Sequence, residues 1–260
     1  MSKFLDCLER ISSNAPPPLG FGVSRSRRPP GMALVGLVST NYAAGCAVVA
    51  DLGPDAALLS GVKSPQSLKR LQKSLPSVPW GVRAETLTEE AAQEYQDQGC
   101  DLLAFSLQST PVSALSSEDM ARVLCLDSDV SERELRSIGP LPVDVLWVRA
   151  FTQNASWTLS DLATSAAISR RVDKYILVEV SQPPGKKDLE ALRNTGVHGL
   201  VLDVASVSTE SLKDLKAALL EMPRYQPGRR DRYTALLPGS AFSTEQEQVR
   251  EEPEEDDEDF

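Results

Sequence analysis

The sequence holds a single histidine, His198, and that scarcity removes most zinc sites and Ser–His–Asp triads at once. Its four cysteines, Cys7, Cys46, Cys100 and Cys125, lie far apart and form no C-x-x-C pair. Such spacing suits reduced thiols in a cytoplasmic protein and neither a disulfide framework nor a zinc centre. No apolar run approaches the roughly 18 residues that a bilayer span requires, so no membrane partner is expected. The N-terminal residues Met1 to Arg10 carry charges where a secretory signal places its apolar stretch, and no export signal is expected. A glycine-rich phosphate loop is also missing after the first apolar segment, where Ser39-Thr40-Asn41-Tyr42 stands.

A basic surplus is lacking too. The formal net charge is −10 over 260 residues, yet Glu245 to Phe260 alone holds ten acids and one base, Arg250. The preceding body is close to neutral, so no nucleic-acid partner is expected. Beyond about Thr244 the composition cannot support a core, and residues 241–260 are expected to form a disordered acidic tail.

What the sequence does contain is a repeat. Three times an amphipathic run is followed by a glycine, one residue, an Asp or His, and an apolar strand. The instances are Gly53-Pro-Asp55-Ala-Ala-Leu-Leu, Gly99-Cys-Asp101-Leu-Leu-Ala-Phe and Gly196-Val-His198-Gly-Leu-Val-Leu. Each reads as a helix ending at a left-handed glycine and turning into a strand buried on both faces. Extended along the chain, the pattern predicts strands at Ala33–Ser39, Ala56–Ser60, Trp80–Ala84, Leu102–Gln108, Val123–Asp127, Val143–Arg149, Tyr175–Ser181 and Gly199–Val204. Helix starts are expected at Ser64-Pro65 and at two capping boxes, Thr86-x-x-Glu89 and Ser131-x-x-Glu134. The fourth helix is expected to be stunted, within Ser116–Met120, and the last to run over Ser211–Glu221. Ser2–Ser13 reads as an amphipathic helix placed to plug the barrel bottom.

Eight strands with right-handed crossovers either close into a barrel or open into a doubly wound sheet. Even spacing and the number of strands favour closure. The stretch from about Ala33 to Met222 resembles TIM-barrel proteins as an architecture, and the repeat is similar to that of many enzymes of that class. The expectation is an α/β fold: a single (β/α)8 barrel over 1–240 with an extra N-terminal helix, followed by the tail.

In such a barrel, chemistry sits at the C-terminal ends of the strands. Placing Trp80 outward turns Gly81, Arg83 and Glu85 inward. Similar alternation puts Ser106, Asp127, Arg149, Glu179 and Asp203 at the inner mouth. Arg83 and Arg149 suit a carboxylate or phosphate, with Glu85 and Ser106 as further substrate contacts. Asp127, Glu179 and Asp203 suit a general base or a divalent metal such as magnesium; the cofactor stays open. Lys63, beyond the second strand, is a candidate base, and Lys186 with Lys187 at the seventh helix start could meet a phosphate. No lysine falls on a strand, which disfavours imine chemistry. The alternative is a set of Arg–carboxylate pairs that merely close the top layer.

His198 is expected to be structural, Cys125 an inert buried thiol, and Trp147 a filler of the interior or of a helix interface. Arg25, Arg27, Arg28, Arg229, Arg230 and Arg232 are expected to share the bottom face, as a patch open to the acidic tail or to a partner. Two functions remain open: a metabolic enzyme acting on a small anionic metabolite by lyase or isomerase chemistry, or a non-catalytic assembly module using the basic bottom patch. Homo-oligomerisation is compatible with either.

Overall fold

Apolar runs become strands and the amphipathic stretches become helices in the computed structural model, which describes residues 2–13, 29–39, 42–62, 68, 78–149 and 157–223. The strands are β1 (Ala33–Val38), β2 (Ala56–Ser60), β3 (Trp80–Arg83), β4 (Leu102–Ser106), β5 (Ala121–Asp127), β6 (Val145–Arg149), β7 (Tyr175–Val180) and β8 (Gly199–Asp203). All pair in parallel with their sequence neighbours, and β8 pairs with β1 to close the barrel. Among the described residues seven helices accompany them. They are α1 (Lys3–Ser12), α2 (Tyr42–Leu52), α3 (Glu89–Asp97), α4 (Glu132–Ile138), α5 (Leu159–Arg171), α6 (Lys186–Asn194) and α7 (Thr209–Glu221). Lys63, both arginine clusters, the helix expected after Ser64-Pro65 and the tail at 241–260 lie outside the described residues.

Closure divides the apolar side chains into two sets. The inner set includes Val35, Leu58, Ala104, Val123, Trp147, Leu177 and Val201, joined by Phe4 and Leu8 of α1. The outer set packs strand residues such as Trp80, Val82, Phe105 and Leu146 against Leu135, Ile168, Leu189 and Leu215 of the helices. Phe4 and Leu8 are fully buried, so the N-terminal helix contributes directly to the interior as a plug.

The G-x-D repeat acquires its physical meaning at the N-terminal rim. Gly53, Gly99 and Gly196 take positive φ values of 58°, 79° and 94°, ending the preceding helix. The acid or histidine that follows starts an even-numbered strand and grips the odd strand before it. The Asp55 amide donates to the Leu34 carbonyl at 2.9 Å, and the Leu34 amide donates to Asp55 Oδ2 at 2.8 Å. His198 repeats this on Ile176, donating to its carbonyl at 2.8 Å and accepting its amide on Nδ1 at 3.1 Å. Asp144 does the same with Arg122 and also takes its guanidinium in a fork, both contacts at 2.9 Å. The Asp144 instance hides in sequence because four residues separate it from Gly139.

Asp101 departs from the pattern in an informative way. Its amide holds the Trp80 carbonyl at 2.8 Å, but its carboxylate turns to α1. There it accepts the Ser2 hydroxyl at 2.9 Å and the amides of Lys3 and Phe4 at 2.8 and 2.9 Å. A helix leaves its first amides without intrahelical partners, and a carboxylate at that end also meets the positive pole of the dipole. Asp101 therefore fastens the plug.

Two expectations are corrected. The helix expected to start from a Thr86 capping box begins at Glu89 and is capped by Thr88, whose hydroxyl accepts the Ala91 amide at 3.2 Å. No helix forms over Ser116–Met120; a 3-10 turn at Val112–Leu115 follows Pro111 instead. The outer faces of β4 and β5 are still covered, because Phe105 and Leu124 share a cluster with Ala114, Met120 and Leu135. The Ser131–Glu134 capping box forms as expected.

Asp101→Ala should strip the α1 amides of their acceptor and destabilise the protein by about 2–3 kcal/mol in urea unfolding. A loss below about 0.5 kcal/mol would show that α1 docks by apolar contact alone. A second expectation concerns His198, whose imidazole burial pushes down to about 4. A base held below its ordinary value of 6.5 supports the fold above that pH, and this support drains away as pH falls toward 4. His198→Asn should therefore flatten the acid-side fall in Tm; parallel curves for both proteins would refute the assignment.

Candidate functional site

Alternation along the strands carries the ionisable residues to the inner side of the C-terminal rim. Ala104, Cys125, Trp147, Leu177 and Val201 belong to the inner set. Ser106, Asp127, Arg149, Glu179 and Asp203, each two residues further on, share their phase. On β3, Trp80 and Val82 face the helices, leaving Gly81 and Arg83 to the interior. The Arg83 guanidinium carbon lies over the Trp147 ring, 5.4 Å from its centroid, a cation–π arrangement. Among the described residues Arg83 has no carboxylate within ion-pair distance.

Arg149 and Asp127 are register partners on β6 and β5, and their side chains form an ion pair at 2.9 Å. Asp127 is exposed and Arg149 half-buried, so the pair is a partly solvated clamp on the rim. Arg149 Nε nonetheless has no hydrogen-bond partner. Asp203 is held from two sides: Ser39, just past β1, donates its hydroxyl to Oδ2 at 2.5 Å, and the Ala205 amide donates to Oδ1 at 2.9 Å.

Glu179 differs from the other carboxylates. It is half-buried, and desolvation pushes its carboxyl up from the ordinary glutamate value, partly opposed by Arg83, Arg149 and the Trp147 indole. The indole faces Glu179 without reaching full hydrogen-bond geometry, and Glu179 Oε2 is buried with no hydrogen-bond partner. Cys125, below the rim, has its thiol pushed up to about 11 by burial, with Arg83 and Arg149 pulling the other way. It stays a thiol at neutral pH, as expected of an inert core residue.

The remaining candidates are dispersed. Ser109 donates its one hydroxyl proton to the Glu85 carbonyl, so Ser106 must be the donor in the 2.6 Å contact between the two serines. Ser109 thereby joins the two rim loops with Ser106 bracing it from the end of β4, while the Glu85 side chain is exposed. Lys186 is not gathered at the mouth: its ammonium pairs with Glu221, in the last turn of α7, at 3.2 Å, and both are well exposed. Among the described residues no three His, Cys, Asp or Glu side chains come together as a metal-binding group. Asp127 pairs with Arg149, and Asp203 accepts from Ser39 and the Ala205 amide. Ser39 and Trp147 are parts of this rim that the sequence reading did not assign to it. Ser39 was accessible through phase, being two residues beyond inward-facing Leu37.

No protein-family model matches the chain, and no curated protein is similar in sequence. Solved structures do share its fold. A mutant tryptophan synthase alpha-subunit from Pyrococcus furiosus superposes with a TM-score of 0.52 at 10% identity, over 72% of this chain and 96% of that one. Tryptophan synthase from M. tuberculosis gives 0.52 at 11% identity, over 73% and 91%. The P. furiosus tryptophan synthase complex gives 0.53 at 11%, over 72% and 96%. At such identities the likeness establishes a TIM-type barrel and leaves the chemistry to the rim. No helix among the described residues is long and apolar enough to cross a membrane.

A desolvated carboxyl whose value is raised costs stability above its ordinary pH range, because the folded state binds the proton more tightly than the unfolded chain. Glu179→Gln should therefore raise Tm at pH 7, by an amount trimmed by the solvent that the half-buried carboxyl still reaches. The gain should shrink as pH falls toward 4.5, the ordinary glutamate value. A variant equally stable or weaker at pH 7 would show that the carboxylate is fully compensated.

Proposed function

We propose that the chain is a barrel enzyme acting on a small anionic metabolite at the C-terminal rim, by proton transfer of the lyase or isomerase type. The observation that carries this reading is the state of Arg83: half-buried and braced on Trp147, with no carboxylate partner among the described residues. Burying a guanidinium without an anion is costly, and a carboxylate or phosphate of the substrate would supply the missing charge. Arg149, shared with Asp127, would provide a second, partly satisfied donor at Nε.

Glu179 would be the proton carrier. A carboxyl raised from its ordinary value can hand its proton to one substrate atom and recover one from another within one turnover. In an isomerisation the proton would return at a different atom; in a lyase step it would leave with the departing group. Asp203, fixed by Ser39 and the Ala205 amide, would take a substrate hydroxyl, and Ser106 would line the wall beside Arg83. The four thiols form no disulfide, which fits a reducing, cytoplasmic setting for such an enzyme.

The second reading, a non-catalytic assembly barrel, draws support from the Arg149–Asp127 pair, which already neutralises part of the rim. A thermal-shift screen against phosphorylated and carboxylated metabolites, with and without magnesium, separates the two. The enzyme reading expects a ligand that raises Tm in the wild type and not in Arg83→Ala. Glu179→Gln should still bind that ligand while losing at least about 100-fold in turnover, the usual weight of one acid–base group. A screen with no hits, or a hit undiminished in Arg83→Ala, would leave the assembly reading in possession.

A further inference from the structure

Trp147 stands apart from the rest of the core. It is the largest fully buried side chain, it belongs to the inner set, and it meets two charged groups at once. Its ring face lies under Arg83 at 5.4 Å, and on the neighbouring strand its register partner is Leu177, two residues before Glu179, whose carboxyl the indole pulls down against burial. Both Trp147 Nε1 and Glu179 Oε2 are buried without a completed hydrogen bond. An aliphatic filler would have packed the same space without leaving two polar atoms in this condition.

We propose that Trp147 is the positioning residue of this site, holding Arg83 and Glu179 in fixed relation so that the rim takes up an anion on Arg83 together with a proton on Glu179. The inference rests on the anion site proposed above and adds the coupling and the class of ligand: a weak acid, captured as its anion and its proton. Without a ligand, ionised Glu179 is the negative charge that answers the rim guanidiniums. Arg83 faces it across the mouth from β3, Arg149 stands beside it on β6, and Asp203 opposes it from β8, with the Cys125 thiol below. An incoming anion on Arg83 competes for that positive charge. The desolvated carboxylate then has less to offset its burial, and protonation of Oε2 is the route that removes the conflict. A ring with no exposed surface in a closed barrel keeps its place, so Trp147 presents a fixed face to Arg83 and a fixed N–H on the side of Glu179. No covalent step is involved: one proton passes from the ligand or solvent to Glu179, and one anion is bound.

Linkage makes the coupling measurable without knowing the substrate, since an anion that favours the protonated carboxyl must itself bind tighter when that carboxyl is protonated. Sulfate keeps its charge through the relevant range and serves as the probe in calorimetric titrations from pH 4.5 to 8. Wild-type affinity should rise about tenfold more than that of Glu179→Gln as pH falls, the factor for about one pH unit of coupling. The glutamine variant carries the same general change in surface charge and so removes it from the comparison. Trp147→Phe keeps a ring face beneath Arg83 but loses the N–H, so it should still bind sulfate at low pH, with the rise beginning at a higher pH. Equal slopes in wild type and Glu179→Gln, with sulfate bound by both, would overturn the coupling and leave the anion site standing. An unmoved midpoint in Trp147→Phe would remove Trp147 from the positioning role. Should that variant fail to fold, the wild-type and glutamine slopes still decide the coupling. Sulfate that binds Arg83→Ala as well as wild type, or binds neither, would remove the anion site and the coupling together.

Discussion

Strand register at the N-terminal rim is the constraint on which the rest of the molecule depends. Asp55, Asp144 and His198 each hold both backbone groups of one residue on the preceding strand. That double grip allows one register only, because a shift by one residue separates the amide from its side-chain acceptor. Side chains alternate strictly along a strand, so such a shift would also turn every inward residue outward. The bottom of the barrel therefore decides what stands at the top. Arg149 and Glu179 reach the mouth because the starts of their strands are pinned; Arg83 reaches it with them because Asp101 holds the Trp80 carbonyl.

The carboxylates of the two ends are not all equally satisfied. At the bottom, Asp101 and Asp144 accept several hydrogen bonds each, and their burial is well compensated. At the top, Glu179 leaves one oxygen without a partner, and Arg149 leaves Nε in the same condition. A packed interior rarely tolerates such loose ends, and proteins that keep them commonly do so where a ligand completes the set. The contrast within one barrel is more telling than either end alone, since the same chain shows at its base how thoroughly its carboxylates can be satisfied.

Much of the architecture was legible in the sequence, and the reasons are local. A glycine in the left-handed region followed by an acid and an apolar run announces a helix-to-strand junction, and Gly53, Gly99 and Gly196 all form one. The inward phase of each rim residue followed from simple alternation once Trp80 was placed against the helices. What stayed hidden depends on contacts distant in sequence. Asp144 makes the same grip as Asp55 but lacks the glycine signature, and nothing near Trp147 shows that it would lie beneath Arg83. The glutamate three residues after Thr86 pointed to a capping box there, yet Thr88 caps the helix instead. Lys186 stands at a helix start that invites an anion, yet its flexible side chain finds Glu221 on the last helix instead.

Likeness to tryptophan synthase alpha-subunits places the backbone in a well-populated architecture and says little of the rim, because about nine in ten aligned residues differ. Fold and site are set by different parts of this chain. The residues that fix the barrel are strand-start acceptors and apolar side chains whose demands are met within the protein. The residues at the mouth carry demands that the protein leaves partly unmet: a guanidinium without a carboxylate among the described residues, and a carboxyl with one oxygen unanswered. Arg83 and Glu179 are complementary in charge, and the Trp147 ring beneath Arg83 belongs to the interior that both border. Had the barrel needed only to be stable, an aliphatic residue at 147 would fill the same interior without a buried indole N–H, and Arg83 would lose the ring face on which it rests.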